Sequence, residues 1–148
     1  FGDVEKALKS MEFVIVQDTY MTDTVSFADV VLPSASHLEK DGTFTSIERR
    51  IQRVRKAYEP SYSSKPDWVI IQEIARRIDY NMHYLSPKDI MDEIRRLVPI
   101  YGGITYDRLD RGEALYLPVV DSTGAGTPIL YADDIKNGSA NMCFYAAE

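Results

Sequence analysis

Two short β-branched runs, Phe13-Val14-Ile15-Val16 and Val30-Val31-Leu32, narrow most sharply what this chain can fold into. Apolar residues at successive positions suit strands buried on both faces, as in a mostly parallel sheet. The first run leads to Gln17-Asp18, and the second is stopped by Pro33, which cannot donate to a ladder. Between them, residues 23–28 predict a short helix. Strand, helix and strand at this spacing imply neighbouring parallel strands joined by a right-handed crossover. A carboxylate at the carboxyl end of such a strand stands where open α/β sheets hold ligands. Asp18 also has a purely structural reading, because an aspartate there starts a turn or caps the next helix.

The flanking segments extend this pattern. Asp3 to Met11 predicts a helix with Val4, Ala7, Leu8 and Met11 on one face, feeding a strand over residues 12–17; the second strand is expected over 29–32. Thr43 to Arg55 mixes Thr, Phe, Ile and Val with many charges and reads as an extended arm rather than a regular core strand. The run Ser61-Tyr62-Ser63-Ser64-Lys65-Pro66 has turn composition. A helix is expected from Asp67 to about Asp79, with Ile71, Ile74, Ala75 and Ile78 on one stripe. Another begins at Ser86-Pro87, with Ser as N-cap, and carries Ile90, Met91, Ile94, Leu97 and Val98 toward Pro99.

Beyond that point the pattern loosens. Tyr106 to Gly112 fits one more helical turn, and residues 124–128 form a loop. Ile129-Leu130-Tyr131 and Met142-Cys143-Phe144-Tyr145 flank Asn137-Gly138 as a terminal hairpin. Gly124-x-Gly126 lacks the third glycine and the following helix of a phosphate-binding loop. The expected fold class is therefore α/β: a single three-layer, Rossmann-like domain with parallel strands. Residues 1–60 form its strand-helix-strand core with the arm, residues 61–110 its amphipathic helices, and residues 111–148 loops and an irregular C-terminal hairpin.

Composition excludes several function classes. A chain of 148 residues with 45% hydrophobic and 27% charged residues can bury one sizeable core. A net charge of -6 argues against a non-specific nucleic-acid surface. The one basic cluster, Arg49, Arg50, Arg53, Arg55 and Lys56, alternates with Ile51 and Val54, as expected for a solvated face or an intersubunit contact. No apolar run is long enough to span a membrane, and no signal-peptide pattern opens the chain. The lone Cys143 has no disulfide partner, cannot hold an iron–sulfur cluster by itself, and sits among apolar neighbours as a buried, inert thiol would. A reducing cytoplasm is the expected compartment. Neither His37 nor His83 falls in a triad or an HExxH spacing.

Six blocks in order carry a family resemblance. They are Gln17-Asp18, Thr22, Ala28 to Pro33, Glu39 to Thr45, Glu48 to Arg53, and the later set Pro66-Asp67-Trp68, His83-Tyr84 and Tyr101 to Tyr106. In this arrangement the chain resembles the large subunits of molybdopterin oxidoreductases, and within that family the α subunits of formate dehydrogenases. The resemblance implies a molybdopterin guanine dinucleotide cofactor, a molybdenum or tungsten ion held by two pterin dithiolenes that each bear a guanosine diphosphate tail. It also implies that an α/β domain binds one tail at the carboxyl ends of its strands.

Guanine presents N1–H and its 2-amino group side by side, and a carboxylate accepts both as a charge-assisted pair. The resemblance accordingly makes Asp18, or Asp67 on the other side, the guanine or ribose reader. Gln17 becomes an amide contact, Thr22 a hydroxyl donor, and Lys40 the ammonium near the diphosphate or guanosine rim. Each has a structural alternative: a surface lysine for Lys40, and a helix-start role for Asp67 and Thr22.

The family's catalytic histidine and metal-ligating cysteine or selenocysteine lie in an earlier segment that has no match here. The cysteine motif for a [4Fe–4S] cluster and the C-terminal barrel-like domain are also without a match. The chain is therefore expected to be an internal segment of a larger catalytic subunit, inactive alone, whose parent enzyme oxidises formate to carbon dioxide and passes electrons to an iron–sulfur cluster. Its expected partners are the rest of that subunit and electron-transfer subunits. Two alternatives stay open: another enzyme of the superfamily, such as nitrate reductase or the large iron–sulfur subunit of NADH:quinone oxidoreductase, and a stand-alone non-catalytic nucleotide-binding or interaction module.

Overall fold

The computed structural model describes residues 2–130. The expected terminal hairpin falls largely outside them, as does Cys143. The class is mixed α/β, with one parallel and one antiparallel sheet. The chain divides into two compact units, one formed by the chain up to Phe44 with Arg53–Glu93, the other by Thr45–Gln52 with the chain from Ile94 onward.

The first unit is built around the two β-branched runs. Helix α1 (Val4–Lys9) is capped by the Asp3 side chain, which accepts from the Lys6 amide at 3.0 Å. Strand β1 (Ile15–Asp18) pairs in parallel with β2 (Val30–Pro33), Gln17 opposite Leu32 and Asp18 opposite Pro33. A 3₁₀ turn, Asp23–Phe27, returns the chain between them and buries Val25. Chain order and the parallel pairing agree with the sequence reading. Burial differs from it, because Phe13 is 61% and Ile15 52% exposed. Two strands cannot cover their own faces, and β-branched side chains chosen for a covered sheet stand open.

Beyond Pro33 the pairing continues through the loop around Lys65. The Ala35 amide donates to the Lys65 carbonyl at 2.8 Å, and Ser34 forms a parallel bridge with Lys65. Helix α2 (Asp67–Arg77) starts two residues later, so its first residue emerges at the ends of β1 and β2. Its buried residues are Ile70, Gln72 and Ala75; of the expected stripe Ala75 is buried, whereas Ile71, Ile74 and Ile78 are exposed. Helix α3 (Pro87–Leu97) buries Met91, and Asp89 closes its start by accepting from the Leu85 and Ser86 amides.

The expected extended arm is a β-hairpin. Strands β3 (Gly42–Thr45) and β4 (Arg50–Val54) belong to a sheet of order β3-β4-β5, with β5 at Leu115–Tyr116. In the second unit β4 and β5 run antiparallel, Ile51 opposite Leu115. These two side chains join Ile104, Leu109 and Val119 in the core of that unit. Helix α4 (Tyr106–Asp110), capped by the Thr105 hydroxyl, occupies the turn expected over 106–112.

The basic cluster is only partly the solvated face expected of it: Arg55 and Lys56 are exposed, but two of its arginines bind main-chain carbonyls. Arg49 donates to the carbonyls of Leu117, Thr127 and Pro128, and Arg53 to that of Gly42. Arg108, buried in the same unit as Arg49, ties the Gly103 and Gly124 carbonyls to the Glu113 carboxylate. Gly126 adopts φ +77°, and a Cβ there would lie 1.5 Å from the Tyr116 carbonyl oxygen, so close backbone approach explains this glycine without a phosphate. No helix among the described residues is long and apolar enough to cross a membrane.

Candidate nucleotide-anchoring site

All five residues singled out in the sequence lie in the first unit, around the carboxyl ends of β1 and β2. All five fall into two hydrogen-bonded clusters, and Gln17-Asp18 contributes one residue to each. Successive residues of a strand point to opposite faces, so the pair can serve both.

The first cluster centres on Asp67. Its Oδ1 accepts from Gln17 Nε2 and from Ser34 Oγ, both at 2.9 Å, and its Oδ2 pairs with the Lys40 ammonium. Asp67 is the first residue of α2 and not its cap, which is Pro66. The carboxylate therefore reaches across to three other segments instead of serving its own helix. Burial alone would raise its pKa, but the hydrogen bonds from Lys40, Gln17 and Ser34 outweigh that and hold it below the ordinary aspartate value. The Lys40 side chain is only 25% exposed, unlike an ordinary surface lysine.

In the second cluster Asp18 Oδ1 accepts from the Tyr20 amide and Oδ2 from Thr22 Oγ1, each at 3.1 Å. The Tyr20 amide leads the effects that hold Asp18 ionised at lower pH than usual. Thr22 stands at the start of the 3₁₀ turn, but its side chain makes no cap bond there; the hydroxyl serves Asp18. Asp18 thus does start a turn, as its structural reading required.

A carboxylate offers about four lone-pair sites. Asp67 already accepts three hydrogen bonds and Asp18 two, so Asp18 keeps more acceptor capacity for a ligand. The ensemble combines an ionised carboxylate, an ammonium, a carboxamide and hydroxyls at the ends of parallel strands. That donor and acceptor set suits a ligand with a donor-rich base edge and an anionic or carbonyl rim.

Two residues of this region escaped the sequence reading. Ser34 is buried and bonded to Asp67. Glu39 is buried as well, and its carboxylate accepts from the Ser36 amide at 2.8 Å and from the Ser61 amide and hydroxyl at 3.1 and 2.9 Å. Those bonds fasten the 36–39 loop to the 61–64 loop. The available signal for Ser34 was its place directly after Pro33; for Glu39 it was its membership of the Glu-Lys-Asp-Gly block. His83 Nδ1 lies 2.8 Å from the Arg76 guanidinium, away from both clusters.

Comparison with known proteins identifies the family of the chain. Residues 2–77 match the family model described as molybdopterin oxidoreductase. Among curated proteins, one from Staphylococcus aureus strain USA300 named "Putative formate dehydrogenase" is 48% identical over 141 residues, 94% of this chain. A protein of the same name from the bovine strain RF122 / ET3-1 is 47% identical over 141 residues. The chain belongs to the molybdopterin oxidoreductase family. It spans 14% of the length of these relatives.

Proposed function

We propose that this chain is the segment of a formate dehydrogenase α subunit that anchors the guanosine tail of a molybdopterin guanine dinucleotide. The observation that carries the reading is the pair of clusters at the strand ends, where Asp18 keeps open acceptor sites in one and Asp67 holds Lys40 and Gln17 in the other. Asp18 would accept guanine N1–H and the 2-amino group together, a charge-assisted pair. Lys40, already neutralised in part by Asp67, would donate to the guanine carbonyl or a phosphate oxygen, and the Gln17 carbonyl oxygen would accept from a ribose hydroxyl. Thr22 would hold Asp18 in position.

The residues therefore fit the group. Bound in the complete subunit, the cofactor supplies the two-electron oxidation of formate to carbon dioxide, with molybdenum or tungsten as the metal and a [4Fe–4S] cluster outside this segment as the acceptor. The chain's own residues bind and orient. Alone it would have no dehydrogenase activity, because the reading assigns it no catalytic residue. The similarity to proteins named formate dehydrogenase favours that parent enzyme over nitrate reductase or the NADH:quinone oxidoreductase subunit. The exposed faces of β1 and β2 are consistent with further strands or helices supplied by the rest of a larger subunit. Electron-transfer subunits and a cytoplasmic location complete the proposal.

Calorimetric titration with guanosine 5′-monophosphate tests the anchoring role. The expected result is binding in the millimolar range typical of a fragment ligand, about −4 kcal/mol, that Asp18→Ala weakens about tenfold. Equal binding by both proteins would overturn it.

A further inference from the structure

The Tyr101 to Tyr106 block takes no part in the clusters at the strand ends and lies in the second unit. Its two glycines are places of close backbone approach. A Cβ on Gly102 would lie 2.3 Å from the Val120 carbonyl oxygen, and one on Gly103 1.7 Å from that of Asp121. The Gly103 amide donates to the Val119 carbonyl at 2.7 Å, and the Val119 amide to the Ile100 carbonyl at 2.8 Å. Residues 119–121 are thereby held against the turn that follows α3.

What this contact presents to solvent is apolar. Leu97, Val98, Pro99 and Ile100 are consecutive exposed residues, and the backbone bonds bring exposed Val120 beside them; Leu97 is 71% and Val120 64% exposed. Such a run on a surface is a liability unless a partner covers it. The surface is also held rigidly. The Val98 amide donates to the Ile94 carbonyl at 2.8 Å, and the Tyr101 and Gly102 amides close the 3₁₀ turn Pro99–Tyr101 on the Val98 and Pro99 carbonyls, each at 2.9 Å. Docking on it therefore costs little conformational freedom.

Two observations choose the partner. The exposed side chains carry no charge, which suits a permanent contact rather than an electron-transfer encounter, whose small surfaces rely on charge. The chain also spans 14% of the length of its relatives, so most of such a protein is available to cover the surface. We propose that this surface seats another segment of the same catalytic subunit, an apolar stretch packed permanently on Leu97, Ile100 and Val120, and that Gly102 and Gly103 serve to shape it. The proposal rests on the reading of the chain as a segment of a larger subunit and needs nothing from the guanosine site.

Hydroxyl-radical footprinting read by mass spectrometry tests it on the complete subunit, on that subunit joined to its electron-transfer partners, and on this chain alone at two concentrations. In the complete subunit Leu97, Ile100 and Val120 should be labelled about tenfold less than in the chain alone, down to the level of Ile104 and Val119, which are buried in the same unit. Labelling that stays high in the subunit and falls only when the electron-transfer subunits join gives the surface to them and overturns the proposal. High labelling throughout overturns it as well. Low labelling in the chain alone means that the chain itself covers the surface or, where the effect grows with concentration, that a second copy does; either result overturns it. A native protein no longer than this chain overturns the proposal together with the segment reading, whereas the guanosine anchor is judged by its own titration.

Discussion

The Lys40 ammonium is paired with the Asp67 carboxylate, and the same carboxylate holds Ser34 and Gln17 through its other oxygen. One side chain at the start of α2 therefore sets the position of residues from β1, from the end of β2 and from the loop that follows. Asp67→Asn keeps the shape but removes the charge that neutralises Lys40. The site is partly solvent-exposed, so the loss in unfolding free energy should be about 1 kcal/mol. Urea denaturation would measure it, and nucleotide affinity should fall in parallel because Lys40 and Gln17 lose their orientation.

Glu39 predicts an acid limb to stability. The Ser36 amide, followed by the Ser61 hydroxyl, holds its pKa below the ordinary glutamate value. For a carboxylate whose folded pKa is depressed, the stabilisation is present above the unfolded pKa and is lost as pH falls through the folded one. Asp67 and Asp18 act in the same direction. Thermal melts from neutral pH to about pH 3 should thus show a falling melting temperature, and Glu39→Gln should lower it at neutral pH while flattening the acid slope. A Glu39→Gln protein with the wild-type slope would show that the 36–39 and 61–64 loops are held by other contacts.

Arg49 combines two effects that mutation can separate. It sits at φ +67° in the turn between β3 and β4, and its guanidinium binds three carbonyls of the 117–128 segment. Arg49→Ala loses those bonds and keeps the strained backbone, whereas Arg49→Gly loses the bonds but relieves the strain. The glycine variant should therefore be the more stable by about 1 kcal/mol, and both should be less stable than wild type. Chemical denaturation of the two variants side by side checks the order.

Two glycines of the second unit should respond very differently to alanine. Gly112 has φ +80° but open space around it, so Gly112→Ala should cost about 1 kcal/mol from backbone conformation alone. At Gly126 the same φ is joined by the Tyr116 carbonyl, 1.5 Å from where a Cβ would lie. Gly126→Ala should cost about 3 kcal/mol or more, because the chain must move. Matching melting temperatures for the two variants would contradict this account of the Tyr116 to Gly126 approach.

The parallel pair was legible because β-branched runs, Pro33 and the intervening turn all point to one local answer. Its incomplete burial was not, since a local run of apolar residues does not say whether the elements that would cover it belong to the same stretch of chain. The β3-β4 hairpin escaped because its turn, Ser46-Ile47-Glu48-Arg49, has no glycine or asparagine where the backbone turns left-handed. The Arg49 amide closes the turn on the Ser46 carbonyl at 2.8 Å, and its guanidinium bonds to the 117–128 segment add tertiary support. Gln17, Lys40 and Asp67 were each singled out, but that they meet one another, with Ser34 as a bridge and Glu39 as a fastening, depends on contacts between residues far apart in sequence. Spacing alone cannot reveal such partners.

The central claim, that the ends of β1 and β2 anchor a guanosine tail, is tested most directly by amide chemical-shift mapping with guanosine 5′-monophosphate. The account predicts shifts concentrated at Gln17 to Thr22, Ser34, Lys40 and Asp67, and their collapse in Asp18→Ala. Shifts confined to the second unit, or none at millimolar nucleotide, would contradict it.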